Sequence, residues 1–442
     1  MTTPANVRSN PWLAAVILSL GASATPQLFA AEKLPAVETI QPPAETITLN
    51  YYGGAIPAER ANKIIAEFEK QYPTIKINYQ AVPANSYNET LGARFAQKDV
   101  DIFDVDQPQS ASYDIRGWEA DLTQAFAAKS HLIDPPALKE STINGRMVNL
   151  PYQIGTTLLY YNKKVLKELG VPFPSNKPGE TPTWEWVEDV ARKAVAAKAT
   201  PYGITFSTPD SYYYVYSEAQ SLGGGSGVTG EKQLTPDINN PGWVKALTWY
   251  GKLYADGVSP RGVKETALAF ANGDSAFFYG GIWNAQTIAK NKNLDFGITS
   301  SPHFAEGKEA TTSGGWALGI SGLSSPEKQR AAALFLNWYL FDNKGGFAAA
   351  DPQTENVPTT ETTRVAFWNN PTYADPRFAG MEGILSWQAK NSAFIRPQSV
   401  GSSEFYQLVT AAISDITNGA NVQKTLDSTN AKLKSAWRKY PQ

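Results

Sequence analysis

The 442-residue chain has no cysteine and only two histidines, His131 and His303. Without thiols it forms no disulfide, offers no cysteine nucleophile, and supplies no thiolate to zinc or an iron–sulfur cluster. Two histidines cannot build a multi-histidine metal cage, so neither a metal nor a cofactor is expected. An excess of positive charge is missing too: 39 Lys and Arg face 41 Asp and Glu. Nucleic acid, which calls for a basic stripe, is therefore not an expected partner. What the chain does hold is aromatic surface, with 12 Trp, 21 Tyr and 19 Phe. A core absorbs many of these, yet so many Trp and Tyr leave candidates for an amphipathic binding surface.

At the N-terminus, Arg8 precedes the apolar run Pro11–Leu20, about half the ~20 residues that cross a bilayer. Small residues follow at Ala22-Ser23-Ala24 and Ala30-Ala31, either of which presents a cleavage site. The pattern reads as a secretory signal peptide over residues 1–31. With no cysteine to carry lipid or a disulfide, the expected address is the periplasm, without a lipid anchor. Residues 32–45, with Pro35, Pro42 and Pro43, read as a flexible tail. Length then suggests two or three domains.

The body opens on Thr46–Tyr52, a β-branched and aromatic strand. Ala61, Ile64, Ile65 and Phe68 recur at helical spacing, and Pro73 ends that helix. Ile75–Tyr79 alternates as a second strand, a helix over Tyr87–Gln97 follows, and Asp101–Asp106 is a third strand. This order predicts a parallel α/β sheet with right-handed crossovers. Ligands of such sheets gather at the carboxyl ends of the strands, so residues just past Val105 are candidates. Leu158–Tyr161 is another strand. Thr183 caps a helix to Ala199, Ser325-Pro326-Glu327 opens one through Leu340 that Gly345-Gly346 closes, and Glu404–Tyr440 reads as further helices.

Several motifs invite chemistry. Gly225-Ser-Gly-Val-Thr-Gly230 matches G-x-G-x-x-G, but it follows a predicted helix and precedes no helix, so a loop is the better reading. Asp104 and Asp106 share a strand face about 7 Å apart and could form a glycosidase carboxylate pair. A carboxylate at a strand end is equally an acceptor for sugar hydroxyls. His131 and His303 lack a nucleophile elbow and read as surface residues. The aromatic clusters are harder to dismiss. Tyr212, Tyr213, Tyr214 and Tyr216 read as too many for one buried face, and Trp283 and Trp316 each follow a Gly-Gly pair that lets backbone approach a ligand. A Trp face stacks on a pyranose, while carboxylates and amides bind its hydroxyls.

Five stretches carry a resemblance in their order and spacing. They are Ile64–Ile77; Leu150-Pro-Tyr152 with Leu158–Asn162 and Pro182-Thr-Trp-Glu185; Gly273–Phe277 with Gly281-Ile-Trp283; Gly314–Ile320; and Arg396-Pro397. Together they resemble solute-binding protein family 1, the maltose- and trehalose-type sugar-binding proteins of ABC importers. The resemblance implies an α/β, two-lobed periplasmic-binding-protein fold of type II-like form, with a ligand cleft between lobes joined by a multi-strand hinge. Projected here, residues 46–153 plus 299–356 form the N-terminal lobe and 154–298 plus 357–442 the C-terminal lobe. Ligand contacts fall on Asp106, Gln107, Tyr213, Trp283, Gly315, Trp316 and Arg396, with Glu59 in the first loop. Many relatives carry an acidic residue where this chain has Gly155-Thr156. The implied protein is a monomer, not an enzyme, that closes on a di- or oligosaccharide or related glycoside and delivers it to the permease transmembrane subunits. A secreted carbohydrate-active enzyme, or a binder of a non-sugar solute such as a glycerophosphodiester, remains the alternative.

Overall fold

Strand β1 (Ile47–Gly53) forms where the β-branched and aromatic run was expected, and it becomes the centre of the first three strands. It pairs in parallel with β2 (Ile75–Ala81) on one side and with β3 (Ile102–Asp106) on the other. In the computed structural model, which describes residues 33–83, 86–342, 346 and 356–440, helices Ala58–Gln71 and Tyr87–Ala96 provide the crossovers. The first buries Ala61, Ile64, Ile65 and Phe68, the face read from their spacing. Ser325 caps helix Pro326–Phe341 by accepting from the Lys328 amide, and Thr183 caps Trp184–Ala196 by accepting from Trp186. The signal-peptide reading of 1–31 and the closing Gly345 lie outside the described residues.

A small hairpin, β4 (Thr142–Ile143) and β5 (Arg146–Met147), leads into the long β6 (Leu150–Asn162). Then come β7 (Tyr202–Phe206), the hairpin β8 (Val228–Thr229) and β9 (Thr235–Pro236), β10 (Ser275–Gly281) and β11 (Phe296–Ser300). The sheet is completed by β12 (Thr311–Ile320), β13 (Val357–Pro358) and β14 (Ala393–Ile395). The main order is β2-β1-β3-β12-β6-β10-β7. It is mixed, because β12 runs antiparallel to both β3 and β6, and β6 is antiparallel to β10.

Two strands belong to both halves of this sheet. The first half of β6 pairs with β12 and β13, while its second half pairs with β11 over Leu158–Asn162 and with β10 over Thr157–Tyr161. β12 starts beside β14 at Thr311–Ser313 and ends beside β3 at Trp316–Ile320. Separate apolar cores lie on the two sides. One holds Leu49, Phe68, Leu150, Leu318 and Trp338, the other Trp184, Phe206, Trp243, Phe277 and Ile413.

The structure corrects three expectations. The chain does not return to the first half at Thr299, which still pairs with Leu159 in the second; the crossing comes within β12, near Gly314–Trp316. The 32–45 segment is not a loose tail throughout, since Leu34, Val37 and Ile40 are buried in the first core and the Val37 amide donates to the Ala125 carbonyl. Apolar side chains outweigh the prolines there. The tyrosine run also behaves differently: helix Tyr212–Ser221 is buried nearly all round, with Tyr212 stacked on Tyr216 and Trp243, so only Tyr213 keeps partial exposure. The Gly225–Gly230 motif starts as a loop and then contributes Val228 and Thr229 to β8, and no helix follows it.

If residues 34–40 are part of the core, Leu34→Ala should lose about 2–4 kcal/mol in urea unfolding. No loss would return the segment to a tail.

Candidate ligand-binding site

β3 ends on Asp106, and the antiparallel register places Trp316 of β12 directly opposite it. Here β12 is kept slim by glycine. A Cβ on Gly314 would stand 2.7 Å from Arg396 Nη2 and 2.9 Å from the Tyr213 ring, and one on Gly315 only 2.1 Å from the Gln153 carbonyl oxygen. These glycines let two large side chains lie against the strand. Arg396, just past β14, reaches across to Asp106: Nη2 donates to Oδ1 at 2.5 Å and Nη1 to Oδ2 at 3.1 Å. The two residues are 290 positions apart in sequence. Asp106 belongs to the first half of the sheet and Arg396 follows the second.

The guanidinium also lies 5.0 Å over the Tyr213 ring and 5.9 Å from that of Tyr406. Burial opposes its charge, but the Asp106 carboxylate more than offsets this and keeps it cationic. The Tyr213 hydroxyl donates to the carbonyls of Gly155 (3.2 Å) and Thr312 (3.3 Å), tying helix Tyr212–Ser221 to both shared strands. Burial pushes that phenol well above its ordinary pKa, so it remains a donor. Trp283 meets Tyr213 edge-on at 5.6 Å and sits above Gly155, whose absent side chain leaves it room. Trp283, Tyr213, Arg396, Asp106 and Trp316 thus form a continuous partly exposed line across β6 and β12, Arg396 being its buried member.

Two other sequence candidates behave differently. Gln107 is adjacent but turned inward: it is fully buried, and Nε2 donates to the Ala137 carbonyl at 3.2 Å. Glu59 is not in a loop and not in the cluster. It stands in the first turn of helix Ala58–Gln71, 85% exposed, paired with Lys63 at 2.8 Å. The phase of the helix decides this, because Ala61, Ile64, Ile65 and Phe68 form its buried face and Glu59 stands on the opposite one.

Asp104 is corrected as well. Although it shares a strand face with Asp106, it is fully buried and accepts from the Tyr51 hydroxyl (2.7 Å) and the amides of Gly54 (2.8 Å) and Ala55 (2.9 Å). Burial pushes its pKa up to about 6, with these three bonds holding it down. It fastens the loop after β1 and has no route to a substrate.

Sequence reasoning missed the residues that seat the segment after β14 on the first half. Gln398 Nε2 donates to the Gln107 carbonyl at 3.1 Å and the Glu140 carbonyl at 2.5 Å. Ser402 donates to the Pro108 carbonyl at 2.9 Å, and Ser403 to Gln109 Oε1 at 3.1 Å. Polar residues bonding to distant backbone leave no local pattern, and only their closeness to Arg396-Pro397 hinted at them.

The sequence profile described as "Bacterial extracellular solute-binding protein" matches residues 53–345. The chain belongs to that family. Among its relatives, a probable ABC transporter-binding protein of Deinococcus radiodurans is 27% identical over 268 residues, 55% of this chain and 59% of that one. The chain therefore spans less than two thirds of this relative. The sn-glycerol-3-phosphate-binding periplasmic protein UgpB of Brucella abortus is 24% identical over 63% of this chain and 67% of its own. The mannitol-binding protein of Pseudomonas aeruginosa is 23% identical over 71% and 73%. In fold the chain is similar to an ABC substrate-binding protein from Listeria monocytogenes in complex with cycloalternan, with a TM-score of 0.76 and 22% identity over 89% of this chain and 99% of that one. It is also similar to maltose-bound MalE3 of T. maritima, with a TM-score of 0.74 and 22% identity over 88% and 99%. The two-lobed α/β architecture of this family is the fold seen here, its lobes built on the two halves of the sheet.

Asp104→Ala should destabilise the protein by about 3 kcal/mol or more in urea unfolding, since three buried donors lose a charged acceptor. A near-silent substitution would reopen a role for Asp104 in chemistry.

Proposed function

We propose that the chain is the substrate-binding protein of an ABC importer, and that it captures an uncharged sugar or polyol between its lobes by hinge closure. The observation that carries this reading is the Asp106–Arg396 pair, made by residues from the two lobes beside Trp283, Tyr213 and Trp316. Aromatic faces suit the C–H face of a sugar ring, and a carboxylate with a guanidinium suits its hydroxyls. β6 and β12 are the natural hinge, since both lobes share them. The ligand favours closure only through its greater affinity for the closed state. Permease subunits are the downstream partner, the protein acts as a monomer, and the periplasm is its place of work. Among the described residues no helix is long and apolar enough to cross a membrane.

The names of the relatives support a polyhydroxyl ligand: mannitol for one, galactooligosaccharide for a protein of Bacillus subtilis that is 27% identical over 40% of this chain. Similarity to UgpB favours a second reading, a phosphate ester. Arg396 is the cation available to such a ligand in this cluster, and each of its Nη groups already donates one N–H to Asp106. A phosphate would have to displace that carboxylate or sit beside its charge. A neutral ligand meets neither obstacle, so it is the reading we adopt. Catalysis is not part of it, because the carboxylate nearest Asp106 along the strand is the buried Asp104.

A thermal-shift screen across mannitol, maltose, galactooligosaccharides and sn-glycerol 3-phosphate separates these readings. The neutral ligand should stabilise by about 2.7 kcal/mol at a hundredfold excess over Kd. Stabilisation by the phosphate ester alone would reverse the assignment, and release of product on long incubation would make the protein an enzyme. Trp283→Ala and Trp316→Ala should each weaken the bound sugar at least tenfold by calorimetry; parental affinity in both would place the site elsewhere.

A further inference from the structure

Helix Pro135–Glu140 ends on a carboxyl group that the site described so far does not use. Glu140 is 1% exposed, and neither of its carboxyl oxygens has a hydrogen-bond partner among the described residues. The groups that face it are Arg396, Asp106 and the Tyr216 phenol. Arg396 and Asp106 already neutralise each other through two hydrogen bonds. An ionised Glu140 would therefore add a buried, unbonded negative charge to a balanced pair, which proteins avoid by keeping the group neutral.

Of the groups that face Glu140, Arg396 and Tyr216 come from the other lobe, whereas Asp106 shares its own. Gln398 donates to its backbone carbonyl, and Arg396 stands two residues before Gln398. Separation of the lobes would withdraw both and return water to the carboxyl group. We propose that Glu140 is a further positioning residue for ligand capture, which must carry a proton for the lobes to close around the Asp106–Arg396 pair. This rests on the hinge-closing reading above.

Burial pushes Glu140 up to about 7 in the closed arrangement, with Arg396 pulling it down and Asp106 pushing it further up. Opened to water, it returns to the ordinary glutamate range near 4.5. The closed state thus binds the proton more tightly. Closure is fully favoured below about 4.5, is progressively lost as the pH rises towards 7, and is level above that. Between pH 5 and 7 the closing equilibrium should fall more than tenfold. Asp104 titrates in the same region, but its partners Tyr51, Gly54 and Ala55 lie in the same lobe, so closing does not change its surroundings.

Small-angle X-ray scattering of the full chain without ligand, at pH 5 and 7.5, tests this. The parent should expand at the higher pH, while Glu140→Gln, which mimics the protonated acid, should keep one radius of gyration at both. Glu140→Ala, lacking the titrating group, should be equally insensitive and serves if the glutamine variant folds poorly. A parent that does not change, or variants that expand as it does, would overturn the proposal. Maltose as a probe separates the two readings: contraction of the parent by maltose to the same extent at both pH values would uphold hinge closure and overturn the role of Glu140.

Discussion

Because β6 and β12 donate and accept backbone hydrogen bonds in both halves of the sheet, neither half can move without bending them. That constraint organises the molecule. Each half assembles its own apolar core, and the shared strands are the narrow region where the cores do not merge. The glycines Gly155, Gly314 and Gly315 sit in this region, where any larger residue would collide with Trp283, Arg396 or the neighbouring backbone. Slim strands are what let large side chains from distant parts of the sequence lie across the junction.

The Asp106–Arg396 pair illustrates how such a junction is balanced. Taking two charges out of water is costly, and the attraction between them repays it only with good geometry and full hydrogen bonding. The two-pronged contact to Asp106 supplies the geometry and the Tyr213 ring lies against the guanidinium, while the buried Nε has no hydrogen-bond partner among the described residues. Such a pair is a modest source of stability and a strong source of register. Gln398, Ser402 and Ser403 extend the same contact through backbone carbonyls and a glutamine, groups that exchange readily with water when the surfaces part. A polar interface of this kind is suited to closing and opening repeatedly, where an apolar one would remain shut.

The buried acids divide by their surroundings. Asp104 has three donors and serves the fold, whereas Glu140 has none and lies where the lobes meet. Glu218, on the buried helix Tyr212–Ser221, is pushed by burial up to about 8 and bonded by Ser217, and its place is the interior of the second lobe. Burial alone therefore does not mark a carboxyl group as functional; its partners and the interface it faces decide.

Local physics made much of this legible in the sequence. The spacing of Ala61, Ile64, Ile65 and Phe68, the caps at Thr183 and Ser325, and the alternation in β1 to β3 each depend on neighbours a few residues away. Sequence also singled out Asp106, Tyr213, Trp283, Trp316 and Arg396, because unusual residue types stood beside glycine pairs or strand ends and matched a family pattern. Other properties were decided only in three dimensions. Glu59 lies outside the cluster because it stands on the exposed face of its helix, and Asp104 is spent on the loop after β1. Tyr212, Tyr214 and Tyr216 are core because that helix is enclosed on nearly every side, which its own composition cannot reveal. The chain returns within β12 and not at Thr299 because strand pairing, a contact between distant segments, sets the crossing. Sequence fixes what each residue offers locally; which residues meet across the shared strands is settled by long-range pairing and burial.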